Sequence, residues 1–154
     1  MPDTKTSKRT TRREEASSEW TDEERAAMKE RARELKRAKR DGAKVDGEQD
    51  LREKIAEMDD VDRDMAERLH ARIMEAVPHL EPRTWYGMPA WAKDGKVLCF
   101  FTPAAKFKER YSSFGFQTVA NLDDGNMWPT SWALTKLTAA EEQRIADLVK
   151  KAAS

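Results

Sequence analysis

Apolar residues recur at four-residue steps along Val61, Met65, Leu69, Ile73 and Val77, with charged residues between them. That spacing predicts a helix with one buried stripe, lying on something flat or concave. Pro78 ends it, because the residue before a proline is pushed out of the α region. Upstream, Leu51, Ile55 and Met58 at i, i+4 and i+7 predict a shorter amphipathic helix. Asp59-Asp60 separates the two, and either aspartate can cap the second.

Beyond residue 80 the period changes. Residues 83–86, 90–93 and 96–102 read as strands, the last two joined by Asp94-Gly95, a type I′ hairpin turn. Pro103 should stop the third. Residues 107–112 alternate Phe107, Glu109 and Tyr111 with Lys108, Arg110 and Ser112, which predicts a half-exposed strand. Leu122-Asp123-Asp124-Gly125 marks a turn or a frayed helix end, and residues 130–136 a further strand. Thr138-Ala139-Ala140-Glu141 is a capping box that opens a closing helix with Ile145, Leu148, Val149 and Ala152 on its apolar side. Helices, then a run of strands, then a helix predict an α+β two-layer sandwich with helices on one face of an antiparallel sheet. No βαβ alternation points to a Rossmann-type fold.

The first third of the chain reads differently. Residues 1–19 have no hydrophobic periodicity and are expected to be a disordered basic arm. Thr21 to Glu24 forms another capping box, opening a helix over residues 22–40 with Gly42 as its stop. Its apolar content is thin: Met28 and Leu35, assisted by Ala27, Ala32 and Ala38. Such a helix is expected to survive on propensity and charge pairs and to dock weakly or not at all. The expected organisation is an arm over residues 1–19, a charged helix and linker over 20–48, and an α+β domain over 49–154.

Charge sharpens this division. The formal net charge is zero, yet residues 1–47 carry 14 Lys/Arg against 11 Asp/Glu, residues 48–80 carry 5 against 10, and residues 81–154 carry 10 against 8. A neutral total hides a basic arm, an acidic segment and a mildly basic remainder. Cys99 is the single cysteine, so intrachain disulfides and cysteine metal cages are excluded, and its place in an apolar strand makes it a core residue. No apolar run is long enough for a membrane span and no signal-peptide pattern is present, so a cytoplasmic protein with no membrane partner is expected.

The densest stretch is Trp85-Tyr86-Gly87-Met88-Pro89-Ala90-Trp91, followed by Lys93-Asp94-Gly95-Lys96. With Phe100-Phe101, residues 105–108 (Ala-Lys-Phe-Lys), Asp123-Asp124-Gly125 and residues 127–131 (Met-Trp-Pro-Thr-Ser), it makes residues 50–152 resemble the YdhG-like family of bacterial domains of unknown function. The resemblance implies a frataxin-like fold, and, because one member has been described as an intracellular iron chaperone, iron binding with delivery to a protein acceptor.

Three candidate sites follow. Glu57, Asp59, Asp60, Asp62, Asp64 and Glu67 gather six carboxylates that suit a hard cation, which under the family resemblance would be iron on an acidic first-helix ridge; capping and solvation explain the same acids. The second comprises Trp85, Tyr86, Met88, Pro89 and Trp91 beside Lys106 and Lys108. Trp85 and Tyr86, read as neighbours in a strand, point to opposite sides, and an aromatic wall beside cations suits a small anionic ligand or a protein partner; a core seam with ordinary exposed lysines is the plainer alternative. The third is the basic arm, with Lys5, Lys8, Arg9, Arg12 and Arg13 ahead of the Arg/Lys-rich helix, which suits weak nonspecific contact with nucleic acid or simply solubility. His70 and His79 lie near no recognisable nucleophile, and no Gly-Xaa-Ser-Xaa-Gly, His-Glu-Xaa-Xaa-His or phosphate-loop pattern occurs, so a non-enzymatic protein is expected.

Overall fold

Two tight turns organise the sheet. In the computed structural model, which describes residues 20–41 and 47–154 (side chains of 37–41 excepted), Tyr86-Gly87 and Asp94-Gly95 all take positive φ, from 51° to 80°. Each pair closes a two-residue hairpin, with Trp85 opposite Met88 and Lys93 opposite Lys96. The expected disordered arm and the core of the expected linker, residues 42–46, lie outside the described residues.

The described chain runs α1 (Asp22–Asp41), α2 (Gly47–Ala56), α3 (Asp60–Ala76), β1 (Glu81–Trp85), β2 (Met88–Lys93), β3 (Lys96–Thr102), α4 (Ala104–Phe107), β4 (Ser112–Phe116), β5 (Ser131–Leu134) and α5 (Ala139–Ala153). It is an α+β protein with five described helices and one antiparallel sheet in the order β1-β2-β3-β4-β5. No described helix is long and apolar enough to cross a membrane.

Register assigns the sheet its two sides. Trp91 pairs with Cys99, Cys99 with Phe116, and Phe101 with Phe114, so these residues share a face. They join Leu51, Ile55, Leu69, Ile73 and Val149 of α2, α3 and α5 in one buried cluster. Burial also pushes the Cys99 thiol far above its ordinary value, which leaves it inert. The opposite face carries Trp85, Ala90, Phe100 and Gly115. A Cβ on Gly115 would strike the Phe100 ring, so the glycine lets that ring lie flat across β4. A Cβ on Gly47 would collide with the Pro82 carbonyl, so only glycine lets α2 start against β1.

Several expectations change. The linker was expected to run through residue 48, but α2 already begins at Gly47. Asp59 occupies the N-cap position of α3 without a capping hydrogen bond. Val61 is 67% exposed while Asp62 is buried, because a four-residue repeat drifts about 40° per step on a 3.6-residue helix. Residues 107–112 are not a strand: Pro103 opens the single turn α4, Lys108 ends it in the left-handed region (φ 53°), and β4 begins only at Ser112. The capping box at Thr138 forms as expected, with Glu141 accepting from the Thr138 N–H at 2.7 Å. Lys93 Nζ reaches the Ala153 carbonyl at 2.5 Å and places a cation at the C-terminal end of α5.

Two polar contacts are built into the core. Trp91 Nε1–H donates to His70 Nδ1 at 3.2 Å, and because indole can only donate, Nε2 holds the His70 proton and gives it to Glu48 at 3.0 Å. That bond, helped by Arg52, holds the Glu48 carboxyl below its ordinary range. Asp62 accepts from Ser112 Oγ and from the Ala105 N–H, both at 3.0 Å, and Ser112 Oγ in turn accepts from Ala104 N–H at 2.9 Å. One carboxylate thus fastens α3 to α4 and β4.

Candidate ligand-binding corner

The Tyr86-Gly87 turn presents two successive backbone N–H groups with no ladder partner, an arrangement suited to an anion. Both are taken by one carboxylate: Glu34 of α1 accepts from Tyr86 N–H at 3.2 Å and from Gly87 N–H at 3.1 Å. Glu30, one turn earlier, sits over Gly87. The space a Gly87 Cβ would need is held by the Glu30 carboxylate and the Lys106 ammonium, which a side chain there would push aside, and its φ of 74° favours glycine.

Lys106 Nζ donates to the Gly87 carbonyl at 2.9 Å and to Glu30 at 3.1 Å, with Lys54 3.7 Å from the same carboxylate. Arg31 pairs with Glu34 at 3.3 Å and lies 5.6 Å from the centre of the Tyr86 ring. Further along α1, Glu23 meets Lys108 at 2.6 Å. Of the expectation that α1 docks weakly or not at all, these contacts leave the first half: α1 is docked, and by polar groups. It docks through Glu23, Ala27, Glu30, Arg31 and Glu34, leaving Met28 and Leu35, the residues read as its apolar side, 42% and 55% exposed.

The electrostatics of the two ends differ. Burial pushes the Glu34 carboxyl above its ordinary value, outweighing the opposing pull of the two amides and Arg31. Glu23 is half-buried and held low, chiefly by its hydrogen bond from Lys108. The contribution of Glu34 to docking is complete below the ordinary carboxyl value and falls as pH rises through its raised one. That of Glu23 is present above the ordinary value and is lost as pH falls through its lowered one. Docking of α1 should then be tightest near the unperturbed glutamate value of about 4.3. A titration of the Tyr86 and Gly87 amide shifts that rose steadily to neutral pH would contradict this.

Of the residues expected at this site, Tyr86, Lys106 and Lys108 meet α1, and Trp85 stands behind Tyr86 at 4.9 Å, edge to face. The two rings do not point to opposite sides as expected, because Tyr86 is a turn residue with φ 53° rather than a strand residue. Met88 is buried, its sulfur accepting from Thr102 Oγ1 at 3.2 Å. Pro89 and Trp91 are fully buried on the core side and line nothing at the corner. Arg110, expected in line with Lys106 and Lys108, turns to the Tyr111 ring instead. Glu30, Glu34, Arg31 and Lys54 had no place in the expected site. Their signal was the spacing of Glu23, Ala27, Glu30 and Glu34, a helical stripe made of acids rather than hydrocarbon.

The acidic cluster is distributed. Asp62 is buried on Ser112 and Ala105, Asp60 pairs with Arg63 at 2.5 Å, Asp64 lies 3.5 Å from Arg68, and Glu57 lies 3.4 Å from Lys54. Asp59 and Glu67 are exposed. Among the described residues no three His, Cys, Asp or Glu side chains form a group that could hold a metal ion. Comparison of the chain with protein-family models, curated proteins and solved structures found no match.

Proposed function

We propose that residues 47–154 form a frataxin-like two-layer sandwich of the YdhG-like kind, serving as a non-enzymatic interaction module that takes a carboxylate at the Tyr86-Gly87 corner. The observation that carries this is the Glu34 carboxylate spanning two turn amides beside Lys106. The sandwich reading is supported by the segregation of Trp91, Cys99, Phe101 and Phe114 onto the side that meets the helices. Iron handling would need several acids from residues 57–67 to converge. The Asp62 anchor and the Arg63, Arg68 and Lys54 pairs favour their staying apart.

The corner already holds carboxylates, so an external one must replace them. Glu34→Ala empties the two amides. Succinate added to that variant should then move the Tyr86 and Gly87 amide signals, and Lys106→Met should weaken the effect roughly tenfold, the equivalent of about 1.4 kcal/mol. A folded Glu34→Ala protein whose two amides ignore succinate would refute the module reading.

A further inference from the structure

The corner reading leaves open what presents the carboxylate, and α1 supplies the template. Its docking residues fall at i, i+4, i+7, i+8 and i+11, one stripe about 16 Å long on a helix rising 1.5 Å per residue. The receiving surface matches it along that length: Lys108 for Glu23, Lys106 and Lys54 for Glu30, and the Tyr86 and Gly87 amides for Glu34. Ala27 is the buried small residue between the acids. Two glutamates four residues apart, a third seven residues before them and a small residue between define a ligand by shape as well as charge.

The contacts that hold α1 are individually modest. An ion pair open to solvent on one side, as Glu23 is with the exposed Lys108, contributes little, and Glu34 is partly desolvated at a cost. Met28 and Leu35 add no buried anchor. An intramolecular ligand held this way is exchangeable.

Resting on the module reading, we propose that the corner and its three lysines receive an acidic α-helix of a partner protein, and that α1 occupies the groove in cis until such a helix displaces it. Charge complementarity selects this occupant: the groove offers ammonium groups and amide hydrogens, and its resident answers with carboxylates at helical spacing. Apparent affinity for the partner is then reduced by the fraction of time that α1 is away.

The test uses the full chain and a fluorescein-labelled peptide of residues 20–41. The peptide should bind the Glu30→Ala/Glu34→Ala protein at least about tenfold more tightly than wild type, since the variant's own helix no longer competes. A peptide with alanine at both positions, or one of scrambled order, should not bind. Equal binding to wild type and variant, no binding to the folded variant, or equal binding of the scrambled peptide overturns the proposal. If the double variant fails to fold, Glu34→Ala alone takes its place. Failure with succinate still moving the Tyr86 and Gly87 amides would leave the corner reading standing and remove only the helix, whereas silence from both removes both. A wild-type native mass of a dimer that becomes monomeric in the variant would name a second copy as occupant and overturn the separate partner.

Discussion

Trp91→Ala is expected to lower the unfolding free energy by about 3–5 kcal/mol, the range for emptying a large aromatic site. The side chain is fully buried, with its ring 6.2 Å from that of His70 and 6.4 Å from that of Phe114. Truncation opens a void where α3 meets the centre of the sheet and strips His70 Nδ1 of its donor. Trp91→Phe separates the two effects: it keeps most of the ring volume and loses the N–H, so about 1–2 kcal/mol should remain as its cost. Urea denaturation of the three proteins decides the matter. Near-identical midpoints for wild type and Trp91→Ala would mean that the indole is not packed as described.

Asp62→Ala should cost about 1–3 kcal/mol, the range for one unmet buried group, because it orphans the buried Ser112 hydroxyl, while the exposed Ala105 amide can turn to water. For a domain of this size every kcal/mol lost lowers the melting temperature by roughly 4–8 °C. Asp59→Ala and Glu67→Ala remove exposed carboxylates and should stay within about 0.5 kcal/mol of wild type. This contrast also bears on the acidic segment. If those acids shared a cation, adding Fe(II) should stabilise wild type and the loss should be spread over all six. If Asp62 alone fastens α3 to β4, metal leaves the melting curve unmoved and only Asp62 matters. Uniform small effects across the six would defeat the anchoring role.

Where packing follows hydrocarbon, the order of residues announced the architecture. Leu51 and Ile55 are buried on the helix they predict, Met58 is buried just past its end, β3 has its expected bounds, and the Thr138 capping box forms. Each of these depends on local geometry that a short stretch specifies by itself. The corner was half legible. Its rings, Gly87 and Lys106 stood out, but Tyr86 was misplaced because a turn needing two positive φ values is easily read as strand when its first residue is aromatic. Residues 107–112 misled for a related reason: alternating charge mimics a strand, whereas Pro103 and the left-handed Lys108 set a helical turn instead. The docking of α1 was not legible at all from hydrophobic spacing. Glu34 is an ordinary surface acid until β1 and β2 fold and bring the Tyr86 and Gly87 amides to it, across 52 and 53 residues of chain.

Ala27 is the one apolar side chain that the described part of α1 buries. Undocking the helix therefore wets amides, ammonium groups and carboxylates rather than oil. Such a step carries little heat-capacity change, so warming should barely drive it, while added salt should.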